Sequence, residues 1–210
     1  MEYNQLQFSM SKCKDDLLPN HKKNAEEIGQ VLTNILNNMF LECLCEKQLD
    51  DLSRCLRLFA SLDKIQDLEK LVRNDIIAPV LHEIINETAL QKDSEGLRGI
   101  YQKVIQFLDA QLKDLLDLTN ESNKGTVKGF NFMKNSFWPE FERRLELHMS
   151  SIFAPGNPEL FHSRFTESMI MIRELEQRCG NQTTVIRLRE HEQYQHFFHK
   201  WNLPVYFKIR

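Results

Sequence analysis

The chain has 210 residues, 41% of them apolar and 27% charged, with a formal net charge of −3. That length suits one large or two small domains with a real core, and the composition excludes general disorder. The charge balance gives no global attraction for nucleic acid or for an anionic membrane surface.

Seven Gly and six Pro are few, and Leu, Glu, Lys, Gln and Ile are many, which favours helix. No apolar run approaches the ~18–20 residues of a membrane span; the longest, residues 76–81, is interrupted by Pro79. The first residues, MEYNQLQFSM, lack the basic start and apolar stretch of a signal peptide. The expected compartment is the cytosol. The odd and scattered cysteines (Cys13, Cys43, Cys45, Cys55 and Cys179) then stay reduced. The sequons at Asn86, Asn120 and Asn181 read as chance matches without a secretory route.

Residues 2–18 carry a weak apolar stripe of Tyr3, Leu6, Met10 and Leu17. The clearest helix follows over residues 25–44, where Ile28, Val31, Leu32, Ile35, Leu36, Met39, Phe40, Cys43 and Leu44 recur at helical spacing. Pro19 and Asn20 can start it. Ile35 and Leu36 lie mid-stripe, and both are expected to be buried.

Leu49, Leu52, Cys55, Leu56 and Phe59 form a second stripe, with Asp50 and Asp51 suited to its N-terminal dipole and a break at residues 61–63. The third runs from Ile65 to about Thr88, with a kink expected at Pro79, which removes one hydrogen bond and crowds the preceding turn. The fourth carries Leu97, Ile100, Tyr101, Val104, Ile105, Leu108, Leu112, Leu115 and Leu116, with Asp93 or Ser94 as its expected N-cap.

Residues 119–129, TNESNKGTVKG, read as a polar surface loop. They divide the chain into an N-terminal helical group, 1–118, and an aromatic-rich C-terminal group, 130–210. In FAPGNPELF, Pro155-Gly156 is a turn pair, Asn157 an N-cap and Pro158 the first helical residue. That helix is expected to end at Gly180 in the left-handed conformation. Further helices are expected from Thr183 and over 191–201. Pro204 should break the last of these and begin another, with Trp201 docked and Tyr206 and Phe207 partly exposed.

No segment alternates with period two. The expected fold is therefore all-α, an elongated bundle or rod of six to eight amphipathic helices with short connections.

No catalytic, cofactor-binding or metal-binding residue emerges. His191, His196 and His199 lie five and three residues apart, with Cys179 twelve upstream of His191, which is poor zinc spacing. Cys43 and Cys45 point ~200° apart on a helix and cannot converge. Asn123-Lys124-Gly125-Thr126 has the wrong order for a phosphate loop, and no strand precedes it. Arg187, Arg189, Lys200, Lys208 and Arg210 sit among aromatics, but Glu190 and Glu192 dilute them, so they read as a solvated helix face rather than a nucleic-acid surface.

SFWPEFERRLE, IFAPGNPELFHSRFTESM, RELEQRCGNQTTVIRLREH and KWNLPVYFKIR resemble the middle region of a subunit family of the conserved oligomeric Golgi complex. YNQLQF and CLRLFASLDKIQDLEKLV fit the same register. The resemblance implies helical rods in a vesicle-tethering complex of intra-Golgi retrograde transport, without catalysis or cofactor. It implies other subunits of that complex as partners, with Golgi SNAREs, Rab proteins and coat components beyond them. It implies peripheral residence on the cytoplasmic face of the Golgi with a cytosolic pool, and indirect membrane contact. It also implies that the chain is a fragment or truncated product, cut inside an element at Arg210. The alternative reading is a small cytosolic all-α regulatory module.

Overall fold

The computed structural model describes Gln5, residues 19–120 and residues 125–209. The weak stripe at Tyr3, Leu6, Met10 and Leu17 lies outside the described residues, as do Cys13, Asn123, Lys124 and Arg210. The described residues contain helices and no strand, so the fold is all-α. They fall into two compact units, Met1–Ile65 and Gln66–Arg210. The polar loop at 119–129 lies inside the second.

The first unit contains α1, Pro19–Cys45, and α2, Leu49–Ser61. Leu36, Phe40 and Cys43 on α1 and Leu52, Cys55, Leu56 and Phe59 on α2 are buried. Phe40 meets Phe59 edge to face at 6.3 Å between ring centres. Lys47 (φ 55°) sits in the tight turn between the helices, where Gln48 N–H donates to Cys43 O at 3.0 Å. Asp63, also at φ 55°, ends α2 within the expected 61–63 break.

In the second unit the third stripe is subdivided. α3, Ile65–Leu71, passes through a π turn, Val72–Ile77, into α4, Ala78–Ile84. Pro79 stands in the first turn of α4. The π turn carries the hydrogen bond of Ala78 N–H to Arg73 O, five residues back, so the ladder has already changed register where the Pro79 donor is missing. The helix does not continue to Thr88. Ile85 becomes extended, and Asn86 caps a separate helix α5, Glu87–Lys92, by accepting from Ala89 N–H at 2.7 Å.

α6, Leu97–Phe107, joins α7, Lys113–Thr119, through a second π turn, Leu108–Leu112. Its N-cap is Gly96 (φ 60°), not the expected Asp93 or Ser94. Asp93 instead accepts from Glu95 N–H at 2.9 Å and from Lys103 Nζ at 2.6 Å. A Cβ at position 99 would lie 2.0 Å from Asp93 Oδ1, so Gly99 makes room for this carboxylate.

A third π turn, Met133–Phe137, leads into α8, Trp138–His148, and a 3₁₀ turn follows at Ser150–Phe153. α9, Pro158–Gln177, starts as its sequence indicates, with Asn157 Oδ1 accepting from Leu160 N–H at 3.1 Å. Gly180 (φ 78°) holds the left-handed conformation, and a Cβ there would meet Asn120 Nδ2 at 2.2 Å. α10, Gln182–Arg189, α11, Glu192–Lys200, and α12, Leu203–Ile209, complete the unit.

Its core is aromatic. Trp138 packs on Tyr194 at 4.7 Å and on Phe197 at 5.6 Å. Trp201 meets Phe153, Phe161 and Phe165 at 4.9, 5.4 and 5.4 Å. Trp201 is therefore docked as expected. Tyr206 is not partly exposed: it stacks on Phe161 at 5.1 Å and is buried, while Phe207 remains 69% exposed. A single helical turn after Pro204 turns Tyr206 onto the α9 aromatics, and its neighbour then faces outward.

Candidate interaction surfaces

The first unit presents an apolar row on α1. Ile28, Val31, Ile35 and Met39 recur at spacings of three and four, and each stays about half exposed. Ile35, expected in the core, is 51% exposed, whereas its neighbour Leu36 is 5% exposed. The apolar stripe of α1 is wide enough for two neighbours, and Leu36, Phe40 and Cys43 occupy only one side of it. At 1.5 Å per residue, the 13 residues of α2 extend about 20 Å and the 27 of α1 about 40 Å. Phe59, two residues from the end of α2, already reaches Phe40, so the first half of α1 runs beyond α2.

In the second unit, α9 is flanked by two grooves. The one against α11 has a volume of about 710 Å³. Ile172 and Tyr194 are buried at its base, Met169 and Phe198 are half-buried, and Arg173 and His199 stand exposed on its rim. Glu176 closes one wall. Its carboxylate accepts from Arg189 Nε and Nη2 at 2.6 and 2.7 Å and from Tyr194 Oη at 2.7 Å. The Arg189 hydrogen bonds are the chief reason this carboxyl is held below the usual range. Burial, then the hydrogen bond to Glu176, raises the Tyr194 hydroxyl well above its ordinary value, so it remains a donor. The groove against α6, about 540 Å³, is more apolar, with Ile105, Ile170 and Met171 around Tyr101. Burial pushes up the Tyr101 hydroxyl, which lies 2.8 Å from Ser168 Oγ.

A charged cluster joins α8 to α11. Glu142, 3% exposed, meets Lys200 Nζ and lies 3.2 Å from His196 Nδ1, while Lys200 also reaches Glu146 Oε2 at 3.0 Å. Glu142, Glu146 and His196 bring one potential ligand atom each within 4.8 Å of one another. The Lys200 ammonium is already the cation between the two carboxylates, and a metal would have to displace it.

Glu140 is likewise buried. Burial alone would raise its pKa, but hydrogen bonds from Arg143 and Arg144 outweigh this and hold it low. Arg73 adds a contact at 3.5 Å. The signal for this group was local, since residues 140, 143 and 144 fall on one helical face. Glu142 and Lys200 are 58 residues apart and had no such signal.

The structure does not bring the three C-terminal histidines together. His191 caps α11 by accepting from Gln193 N–H at 3.3 Å, His196 faces Glu142, and His199 lines the α9–α11 groove. Burial lowers the pKa of His191. Cys43 is buried and Cys45 exposed, as their opposed directions require. Lys200 departs from the expected solvated face, being largely covered and committed to Glu142, whereas Arg189, though paired with Glu176, stays exposed. No described helix is long and apolar enough to cross a membrane.

Curated relatives match essentially the whole chain. The human protein named conserved oligomeric Golgi complex subunit 2 is 39% identical over 214 residues, covering 100% of this chain. The Drosophila melanogaster protein of the same name is 37% identical over 210 residues, covering 98%. The chain is homologous to a region of conserved oligomeric Golgi complex subunit 2. An Arabidopsis thaliana subunit 2 extends the similarity to 27% identity over 214 residues. The chain spans 29% of the length of the human and fly subunit 2 proteins. No family model and no solved structure matches it. Subunit 2 relatives thus correspond to both compact units, from the α1 row to the α9 grooves.

Proposed function

We propose that this chain acts as a non-catalytic helical scaffold within a Golgi vesicle-tethering complex, in intra-Golgi retrograde transport and Golgi organisation. The observation that carries this reading is the end-to-end match to subunit 2 at 39% and 37% identity. Other subunits of that complex are its direct partners. Golgi SNAREs, Rab proteins and coat components are the outer circle of contacts. The chain resides peripherally on the cytoplasmic face of the Golgi, with a cytosolic pool, and protein partners are its anchor.

The α1 row suits this role. Residues 28–39 cover about 17 Å of helix, which at a helix width of about 10 Å is roughly 170 Å², far less than the ~800 Å² per partner of a stable self-sufficient interface. A row of that size supports one helix of another subunit as part of a larger contact and does not by itself support a homodimer.

The test is to express the tagged chain in cells of its own organism and purify it from a Golgi-enriched fraction. Recovery with the other subunits of the complex is expected. A chain spread through the cytosol, with none of those subunits attached, would refute the reading.

A further inference from the structure

We infer that the groove between α9 and α11 is a docking site for an acidic amphipathic helix of another subunit of the complex. This rests on the scaffold reading above and adds the site and the chemistry of its occupant.

The groove has an apolar base long enough for two successive anchors of a helix. Met169 and Phe198 are half-buried beside the buried Ile172 and Tyr194. Side chains four apart on an incoming helix are ~6 Å apart, so a Leu or Phe pair can seat against these residues.

The rim decides the charge of the occupant. Glu176 is the acidic group lining the groove, and its oxygens are taken by Arg189 and Tyr194. That carboxylate is thus neutralised inside the wall. Arg173 is exposed on the rim and senses Glu176 only through space. His199 stands on the opposite side, on α11. The groove is therefore cationic on a chain whose net charge is −3. A carboxylate on the partner helix pairs with Arg173 in the bidentate manner that guanidinium favours. A basic helix would instead be repelled by Arg173, since the one carboxylate of the groove is already held by Arg189. The α6 groove lacks this bias, because Glu167 and Glu174 outnumber Arg98 there.

Gln195, exposed between Tyr194 and Phe198 along the same wall, allows a test with both signs. The full chain is co-expressed with the other subunits of the complex from its own organism and the retained subunits are quantified over a salt series. Arg173→Glu and Gln195→Glu should each weaken retention of one subunit at least tenfold, and Gln195→Lys should strengthen it several-fold, with the differences shrinking at high salt. Leu147→Glu, an exposed change on α8 outside the groove, should do nothing. Circular dichroism confirms that each variant folds. A photo-crosslinking residue at 195 should map to a helical segment of that subunit rich in Asp and Glu. If subunits are retained but are indifferent to positions 173 and 195, or crosslink at 195 to a basic segment, the groove assignment is overturned while the scaffold reading stands. If the unmodified chain retains no subunit, the scaffold reading fails first.

Discussion

The Glu69 carboxylate on α3 accepts a 2.7 Å hydrogen bond from the backbone N–H of Asn131, 62 residues away. Its other oxygen accepts from Asn135 Nδ2 at 2.8 Å, and the Glu69 carbonyl accepts from Ser136 Oγ at 2.7 Å. One buried acid thus ties α3 to the start of the aromatic segment. Removing it by Glu69→Ala leaves two donors unpaired, at a cost of about 1–3 kcal/mol. Chemical denaturation should show this loss, and an unchanged midpoint would mean that the donors find other partners.

Glu69 also makes a pH prediction. Burial raises its pKa above the ordinary value of 4.5, despite the hydrogen bonds from Asn131 and Asn135 that oppose the shift. The folded state therefore binds this proton more readily than the unfolded chain. Its contribution to stability weakens as pH rises through the window above 4.5. Glu140 and Glu176 act oppositely, since their folded pKa values are lowered, and their contribution is lost as pH falls below the same value. Denaturation midpoints of Glu69→Gln and the parent at pH 4 and pH 7 separate the two effects. The variant should gain relative to the parent as pH rises; a relative loss would contradict the sign.

Ile35→Asp and Leu36→Asp place the same charge on adjacent residues of one helix. Position 35 faces solvent and should change stability by less than about 1 kcal/mol, whereas position 36 buries an unpaired carboxylate and should cost several kcal/mol. Thermal unfolding followed by circular dichroism distinguishes them. Equal losses would show that the exposed row is covered within the monomer.

Much of this was legible in the sequence. Helical periodicity marked α1, α2, α6 and α9, and Asn157-Pro158 and Gly180 marked both ends of α9, because those signals are local, while α8 was legible only as an aromatic-rich stretch. The exposure of Ile35 was not legible, since periodicity reports that a face is apolar and not which neighbour covers it. The break at Ile85–Asn86 was hidden inside a continuous apolar pattern. The partnership of Lys200 with Glu142 depends on how α8 and α11 pack, which no spacing within either helix encodes.

Trp201 ties α11 to the 3₁₀ turn and α9, and Trp201→Ala should cost about 3–5 kcal/mol. Its Nε1 has no acceptor among the described residues, so Trp201→Phe sacrifices packing but no hydrogen bond and should cost clearly less. Comparing the two unfolding midpoints checks this, and equal losses would mean that the indole N–H is satisfied.

Thiol reactivity follows burial. Cys45 is exposed and should label with maleimide in the native protein. Burial raises Cys179 to about 12, and burial followed by the neighbouring Cys43 raises Cys55 to about 11. Peptide mapping should find both unlabelled until denaturant is added; rapid native labelling of either would show that its helix opens readily.

The most direct test of the scaffold account is a substitution of segments. In human subunit 2, the region matching this chain is replaced by it, and the chimera is expressed in human cells lacking the native subunit. Size-exclusion chromatography of the cytosol then reports its assembly. The account expects the chimera to elute with the other subunits and to reach the Golgi. A folded chimera that elutes alone and stays diffuse would contradict it.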